Sequence, residues 1–264
     1  MSNIRHKELH DYPWFPAIWR KGMTDFLAFF ATFLMQYDPV FPMILKIMKQ
    51  SGLKRIRDFC SGGASYLLKL DRYLNVENDL HVNLILTDKY PDIKTFKQLA
   101  ERSGGTLIYS AEPANALAPP PEKQEFRVMF SAMHHFSLPE LELMIEHAVA
   151  NDCGIGFFDY AMRNHFRTLL LLPGLVPLVW ILTPFMLPFS WKRLLWTYVL
   201  PAIPLMLLID GFISRCNGYK PDEFNLIMEK FKTQGCCCEC GVLSNCFYSG
   251  EVLYLTIYKL RKDV

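Results

Sequence analysis

The sequence predicts an α/β fold: a mostly parallel sheet with helices on both faces, closed by an antiparallel hairpin. Two observations predict it. Between residues 56 and 159, short β-prone runs alternate with helical patterns, an order that builds a parallel sheet covered on both sides. After residue 236, two β-prone stretches flank a single turn, as in a hairpin. Composition agrees with a packed chain: of 264 residues, 51% are hydrophobic and 20% charged, and the formal net charge is +2. A disordered chain has low hydrophobicity and high net charge, so that class is excluded. A nucleic-acid binder working by bulk positive charge is excluded too.

The elements follow in order. Residues 14 to 50 read as helical, with Trp14, Ile18, Met23, Phe26, Leu27, Phe30, Phe33 and Leu34 at helical spacing. Pro39 and Pro42 split the region, Val40 to Gln50 makes a second helix, and Gly52 stops it. Residues 1–50 are therefore expected as a helical cap on a domain spanning 51–264. Strands are expected at Ile56 to Cys60, Val82 to Thr87, Thr106 to Tyr109, Phe126 to Phe130 and Ile155 to Asp159. Helices are expected from Ser65 to Tyr73, Ile93 to Arg102 and Leu138 to Ala150, the last with Pro139 in its first turn. A helix over Pro221 to Gln234 resumes the pattern, and strands at 237–247 and 252–259 end it around Tyr248-Ser249-Gly250-Glu251. The strands total seven.

An apolar insert at 166–213 interrupts this pattern. From Thr168 to Ile209 the only charges are Lys192 and Arg193. Its two halves approach the roughly 20 apolar residues of a membrane span. Pro173, Pro177, Pro184, Pro188, Pro201 and Pro204 interrupt them, and each breaks or kinks a helix. Three readings stay open: a buried or substrate-covering helical insert, a segment dipping into one membrane leaflet with Lys192 and Arg193 at headgroup depth, and a transmembrane hairpin.

Ligands of an open parallel sheet sit at the carboxyl ends of its strands. The first end gives Asp58-Phe59-Cys60-Ser61-Gly62-Gly63-Ala64, a tight turn that lets a ligand approach the backbone. The second gives Thr87-Asp88, the third Ala111-Glu112-Pro113-Ala114-Asn115, the fourth Ser131-Ala132-Met133-His134-His135-Phe136. Asp88 suits ribose hydroxyls, or caps the next helix. G-x-G-x-x-G is absent, which removes a nicotinamide-dinucleotide reading, and no Gly-Lys-Ser/Thr follows to make a P-loop.

These residues resemble class I S-adenosylmethionine-dependent methyltransferases. Asp58 through Gly63 looks like that family's first motif, Asp88 its ribose-binding acid, and Phe130 to Phe136 its fourth-strand motif. The segment Asp210-Gly211, Ser214 and Tyr219, with the proline-rich insert before it, is similar to an uncharacterised bacterial branch. The resemblance covers about residues 52–160 and 220–260 and implies a Rossmann-like sheet with S-adenosyl-L-methionine as cofactor. It implies that Asp58 orients the methionine end, that Ser61, Gly62 and Gly63 line the carboxylate and sulfonium region, and that Asp88 holds the ribose. Ala114, Asn115 and Ser131 complete the expected cofactor site. The glycine turn departs from the family in having Ala64 and Ser65 where more glycine is common, and Pro113 stands where an Asp often precedes Ala114.

Methyl transfer to a hydroxyl or amine requires loss of a proton. His134 is the expected base, because imidazole titrates near neutral pH, and His135 is the fallback. Tyr160, Arg163 and Asn164 follow the fifth strand and are expected at the substrate edge or in an ordinary turn. Asp210 faces the active-site side of the lid or marks the end of the insert. The apolar insert suits a hydrophobic acceptor; nothing in the sequence chooses between O-, N- and S-methylation. A different class stays open, a non-catalytic membrane-peripheral protein with a degenerate cofactor pocket. Trp14, Phe15 and Trp19 pack a helix or cap the substrate. Cys236-Cys237-Cys238-Glu239-Cys240 and Cys246 invite a metal, but a strand sends alternate cysteines to opposite faces. They are expected to be core residues, and no metal is expected. Met1 to Tyr12 has no apolar run, so a cytoplasmic location with free thiols is expected, peripheral to a membrane if 168–209 contacts one.

Overall fold

The computed structural model describes residues 5–163, 165–244 and 250–261, with the side chains of 165–173 excepted. Its strands are β1 (Arg55–Phe59), β2 (Asn83–Leu86), β3 (Leu107–Tyr109), β4 (Phe126–Phe130), β5 (Gly154–Asp159), β6 (Cys237–Ser244) and β7 (Glu251–Tyr258). They form one seven-stranded sheet in the order β3-β2-β1-β4-β5-β7-β6. The first five are parallel, and β7 lies antiparallel to both β5 and β6. The central strand β4, Phe-Arg-Val-Met-Phe, is buried throughout, as a strand covered on both faces must be. Register places Asp58 beside both Leu86 and Val128, so the carboxyl ends of β1, β2 and β4 lie level. The loops after them open on one edge of the sheet.

The helices are α1 (Ala17–Phe33), α2 (Phe41–Ser51), α3 (Tyr66–Asp71), α4 (Ile93–Arg102), α5 (Leu138–Ala150), α6 (His165–Leu182), α7 (Trp191–Leu194), α8 (Ala202–Asn217) and α9 (Asn225–Lys232). Their ends follow local chemistry. Gly52 ends α2 with φ +69°, which a residue with a Cβ adopts at a cost. Ser137 and Glu140 form a reciprocal capping box at the start of α5. Asp92 caps α4 by accepting from the Thr95 amide; the capping role considered for Asp88 therefore belongs to Asp92.

Among the described residues three cores organise the packing. One face of the sheet (Ile56, Leu84, Phe126) packs on α2, α3 and α4 through Ile44, Leu67 and Phe96. The other face (Met129, Ile155, Phe157) packs on α5 and α9 through Leu141 and Phe231. In the third, Met23 and Phe26 of α1 pack on Val179 of α6 and on Ile203 and Leu207 of α8. The first fifty residues thus divide: α1 joins the apolar insert, whereas α2 belongs to the sheet. Phe15 and, partly, Trp19 join the third core, while Trp14 is exposed.

Pro173 and Pro177 do not break α6, which runs from His165 to Leu182. The breaks fall at Pro184 and Pro188, between α6 and α7, and at Pro201, which starts α8. Among the described residues no single helix is long and apolar enough to cross a membrane, although two bent pairs approach that length, 17–33 with 38–51 and 191–199 with 202–217. Arg193 does not sit at a surface fit for lipid headgroups. It is buried, donates to the carbonyls of Met186 and Pro188, and lies 3.6 Å from Asp25. On β6, Cys238 and Cys240 pack on one core and Cys237 on another, as strand alternation requires. Cys246 and the Tyr248-Ser249 turn lie outside the described residues.

Candidate active site

The loops after β1, β2 and β4 bring the cofactor candidates together. Ser61 ties the first two ends: its amide donates to Thr87 O, and its hydroxyl donates to Asp58 O while accepting from the Thr87 amide. Asp88 Oδ2 accepts from the Gly62 amide at 2.8 Å, Oδ1 accepts from the Tyr90 amide, and the Ala114 amide donates to Asp88 O. Asn115 Oδ1 accepts from the Leu117 amide, which folds the third loop back on itself. Ser131 shares a hydrogen bond with the buried Tyr37 hydroxyl. Cys60, Ala64 and Ser131 all hold left-handed backbone without being glycine. Such conformations cost about 1–3 kcal/mol each and gather at functional sites.

Asp58 is the unusual member. Its residue is 2% exposed, and neither carboxylate oxygen has a hydrogen-bond partner. Burial pushes its carboxyl well above the usual carboxylate range. Buried polar groups are almost always satisfied, so an orphaned pair of acceptors calls for a missing donor. A primary ammonium is such a donor. Asp88, half-buried at the neighbouring strand end, keeps lone pairs for a diol. The residues present therefore fit an adenosyl amino acid.

Helix α1 roofs this turn. Ser65 Oγ donates to Ala28 O and pairs with Thr32 Oγ1. A Cβ on Gly63 would fall 2.6 Å from Ala28 Cβ and 2.9 Å from Thr24 O. Gly63 is thus needed for the close approach of α1, whereas Gly62 is needed for its φ of +53°. Since backbone cannot swing aside, Gly63→Ala is expected to cost about 1–3 kcal/mol. A lower urea midpoint at unchanged slope would register it, and an unchanged midpoint would contradict this packing.

On the other side of β4 lies a polar cluster. His134 Nδ1 is 2.8 Å from Asp159 Oδ2, which also accepts its amide, and Nε2 is 3.1 Å from Glu8 Oε1. Burial opposes charge on this imidazole, but Asp159 and Glu8 outweigh burial and raise its pKa to about 10. Burial likewise pushes Glu8 up, yet the surrounding imidazoles hold it down at about 2. So placed, His134 has both ring nitrogens turned to carboxylates and neither turned to an acceptor's proton. The expected base is engaged in two ion pairs. His135 Nδ1 is 2.8 Å from Asp11 Oδ2, and its side chain is partly exposed.

Asp210 enters the same cluster from α8. It accepts from the Leu9 and His10 amides and contacts His10 Nδ1 at 2.9 Å. Tyr160 carries the Arg215 guanidinium over its ring. Arg163 is paired with Glu223 at 2.6 Å, which turns it from the strand ends toward the segment before α9. Asn164 lies outside the described residues.

Sequence reasoning missed Glu8, His10, Asp11 and Asp159. Their signal was present: His6, Glu8, His10 and Asp11 crowd four ionisable groups into a short segment, and Asp159 ends a strand.

No family model matches the chain, and no curated protein matches it. Solved structures do. A putative O-methyltransferase from Nostoc punctiforme PCC 73102 superposes with TM-score 0.52 at 12% identity, over 97% of this chain and 64% of that one. The S-adenosylmethionine-dependent methyltransferase SibL, in its apo form, gives 0.50 at 9% identity, over 85% of this chain and 56% of that one. An O-methyltransferase family protein from Burkholderia thailandensis gives 0.48 at 11%, over 87% and 58%. The chain spans less than two thirds of each of these proteins. At such identities the likeness establishes the fold, which is that of class I S-adenosylmethionine-dependent methyltransferases.

Proposed function

We propose that this chain, built on the class I methyltransferase fold, binds S-adenosyl-L-methionine and methylates a hydrophobic acceptor, with oxygen as the acceptor atom. One observation carries the cofactor: the buried, unpartnered Asp58 carboxylate beside the Gly62–Asp88 link. Asp58 receives the amino group, the backbone around Gly62 and Gly63 lies along the carboxylate and sulfonium, and Asp88 holds the ribose. Ala114 and Asn115 wall the adenine, and Ser131 stands at the reacting end. The cofactor supplies an activated methyl group, so the protein's share of the chemistry is positioning and exclusion of water.

The acceptor reading rests on the insert. Trp180, Phe185, Leu187, Phe189, Trp191 and Val199 are exposed on α6–α8. An apolar face of this kind marks a site for a hydrophobic ligand or a membrane surface. The hydrophobic acceptor therefore approaches along the insert, and peripheral membrane contact through 168–209 brings it within reach. Oxygen as the acceptor atom is supported by the description of the Nostoc protein.

The test is a thermal shift with S-adenosyl-L-methionine, followed by transfer of labelled methyl to a panel of apolar and small polar hydroxyl compounds. Stabilisation by the cofactor and label on apolar hydroxyls are expected. No shift at millimolar cofactor overturns the cofactor assignment, and label confined to small polar acceptors overturns the acceptor class. Flotation with anionic phosphatidylserine vesicles, lost in Leu187→Asp/Trp191→Asp, separates a membrane face from a closed lid. If vesicles bind and cofactor does not, the non-catalytic membrane-peripheral reading takes its place.

A further inference from the structure

We propose that Glu8, His134 and His135 form a binding site for a first-row divalent cation of the zinc type. The two imidazoles come from the loop after β4, and the carboxylate comes from the N-terminal strap. Each imidazole has its Nδ1 fixed by a carboxylate at 2.8 Å: Asp159 for His134 and Asp11 for His135. That leaves both Nε2 atoms facing one oxygen. They lie 3.1 Å and 3.9 Å from Glu8 Oε1, and the three ligand atoms fall within 4.8 Å of one another. Two ligands held about 2.0–2.1 Å from a tetrahedral zinc lie roughly 3.4 Å apart. The observed spacings bracket that value, so the set closes on a metal with small shifts.

The outer contacts are those a metal site requires. A carboxylate on Nδ1 fixes the tautomer and makes the other nitrogen a better ligand. Asp159 is itself tied down by the Ala161 amide. The strap is held at both ends: Asn217 pairs with the backbone of His6, and Asp210 accepts from the Leu9 and His10 amides. Ser214 Oγ donates to Glu8 Oε1. A second group, Glu8, His10 and Asp210, also lies within metal-ligand distance. Its Asp210 oxygens are already committed to holding the strap, so the histidine pair is the better ligand set. The site has an approach, because His135 and Asp11 are partly exposed while Glu8 and His134 are buried. Two nitrogens and one carboxylate oxygen suit zinc and its neighbours better than magnesium or calcium.

Three protein ligands leave a vertex open beside the proposed transfer site. An acceptor hydroxyl bound there would be more acidic, because a metal lowers the pKa of a bound hydroxyl; its proton would pass to solvent water, and its oxygen would take the methyl as the sulfonium C–S bond breaks. That role rests on the methyl-transfer reading; binding of the metal does not.

Elemental analysis of the purified chain, and calorimetric titration of EDTA-treated chain with ZnCl2 and MnCl2, test the site. One saturable equivalent is expected, with zinc bound more tightly than manganese. His135→Ala abolishes that equivalent, Glu8→Gln does the same, and Asp11→Asn weakens it by about 10- to 100-fold. His135 is the less buried ligand, so its variant decides the matter should Glu8→Gln fail to fold by circular dichroism. Free cysteines bind zinc too, so Cys238→Ser/Cys240→Ser must leave the equivalent intact. No saturable binding overturns the proposal. So does zinc that survives His135→Ala but disappears with the cysteine variant. Zinc bound normally with no affinity for S-adenosylhomocysteine upholds the metal and rejects methyl transfer.

Discussion

Asp58→Asn is expected to weaken binding of S-adenosylhomocysteine by roughly 30-fold to several thousand-fold while leaving the unliganded fold as stable or more stable. The first half follows from chemistry: truncating one partner of a buried, hydrogen-bonded charge pair costs about 2–5 kcal/mol. The second half follows from the site without ligand. Both Asp58 oxygens are buried and unpartnered, and burial raises the carboxyl's pKa well above its usual range. The folded state therefore holds the proton more tightly than the unfolded chain. Stability contributed by the protonated group is present at low pH and is lost as pH rises from the ordinary carboxylate range, near 3.9, through the raised folded value. An amide has no such loss. Urea unfolding across this range should show wild type falling relative to Asp58→Asn as pH rises, and bound cofactor should close the gap by supplying the ammonium. An Asn variant that loses both stability and ligand would make Asp58 a structural residue.

Much of this was legible in the sequence, and what was not has physical causes. Strand and helix order between 56 and 159 followed from hydrophobic period and turn chemistry, which are local. The glycine turn and Asp88 were expected at neighbouring strand ends, and there the Gly62 amide donates to Asp88. Proline was misread in α6, where Pro173 and Pro177 lie inside a continuous helix. A local breaker was overruled there by the packing of α6 on α8 and, through Val179, on α1. The polar cluster was not legible because its members lie far apart in the chain. Glu8 meets His134 and Ser214 only through the tertiary fold. A charged N-terminal segment reads as solvated by default; three buried carboxylates, those of Glu8, Asp159 and Asp210, reverse that reading here.

At the opposite end of β4, Glu125→Ala is expected to lower the midpoint of thermal unfolding by about 6–20 °C. Glu125 is fully buried and joins two buried arginines. Arg57 Nε donates to both its oxygens, at 3.0 and 2.9 Å, and Arg127 Nε donates to Oε1 at 3.0 Å. Arg57 and Arg127 are paired neighbours on β1 and β4, so their guanidiniums would repel without the acid between them. Removing one partner of a buried ion pair costs about 3–5 kcal/mol; Arg57 would keep Glu122 at 3.3 Å, but Arg127 would be left buried without a carboxylate. In a chain of this size each kcal/mol is worth about 2–4 °C. The cost belongs to the under-compensated charge, chiefly that of Arg127, rather than to lost volume. Arg57→Met/Glu125→Leu/Arg127→Met should therefore recover part of it, since apolar groups of similar size often replace such triads without loss. Recovery stays incomplete because Arg127 also contacts His147 and donates to the carbonyls of Pro120 and Glu122. Glu125 itself lies before β4, at the end of the sheet opposite Asp88, and Arg57 and Asp58 are consecutive on β1 and so point to opposite faces; affinity for S-adenosylhomocysteine at 10 °C should therefore be unchanged in Glu125→Ala. A midpoint within about 2 °C of wild type would mean that water reaches the arginines and relieves them.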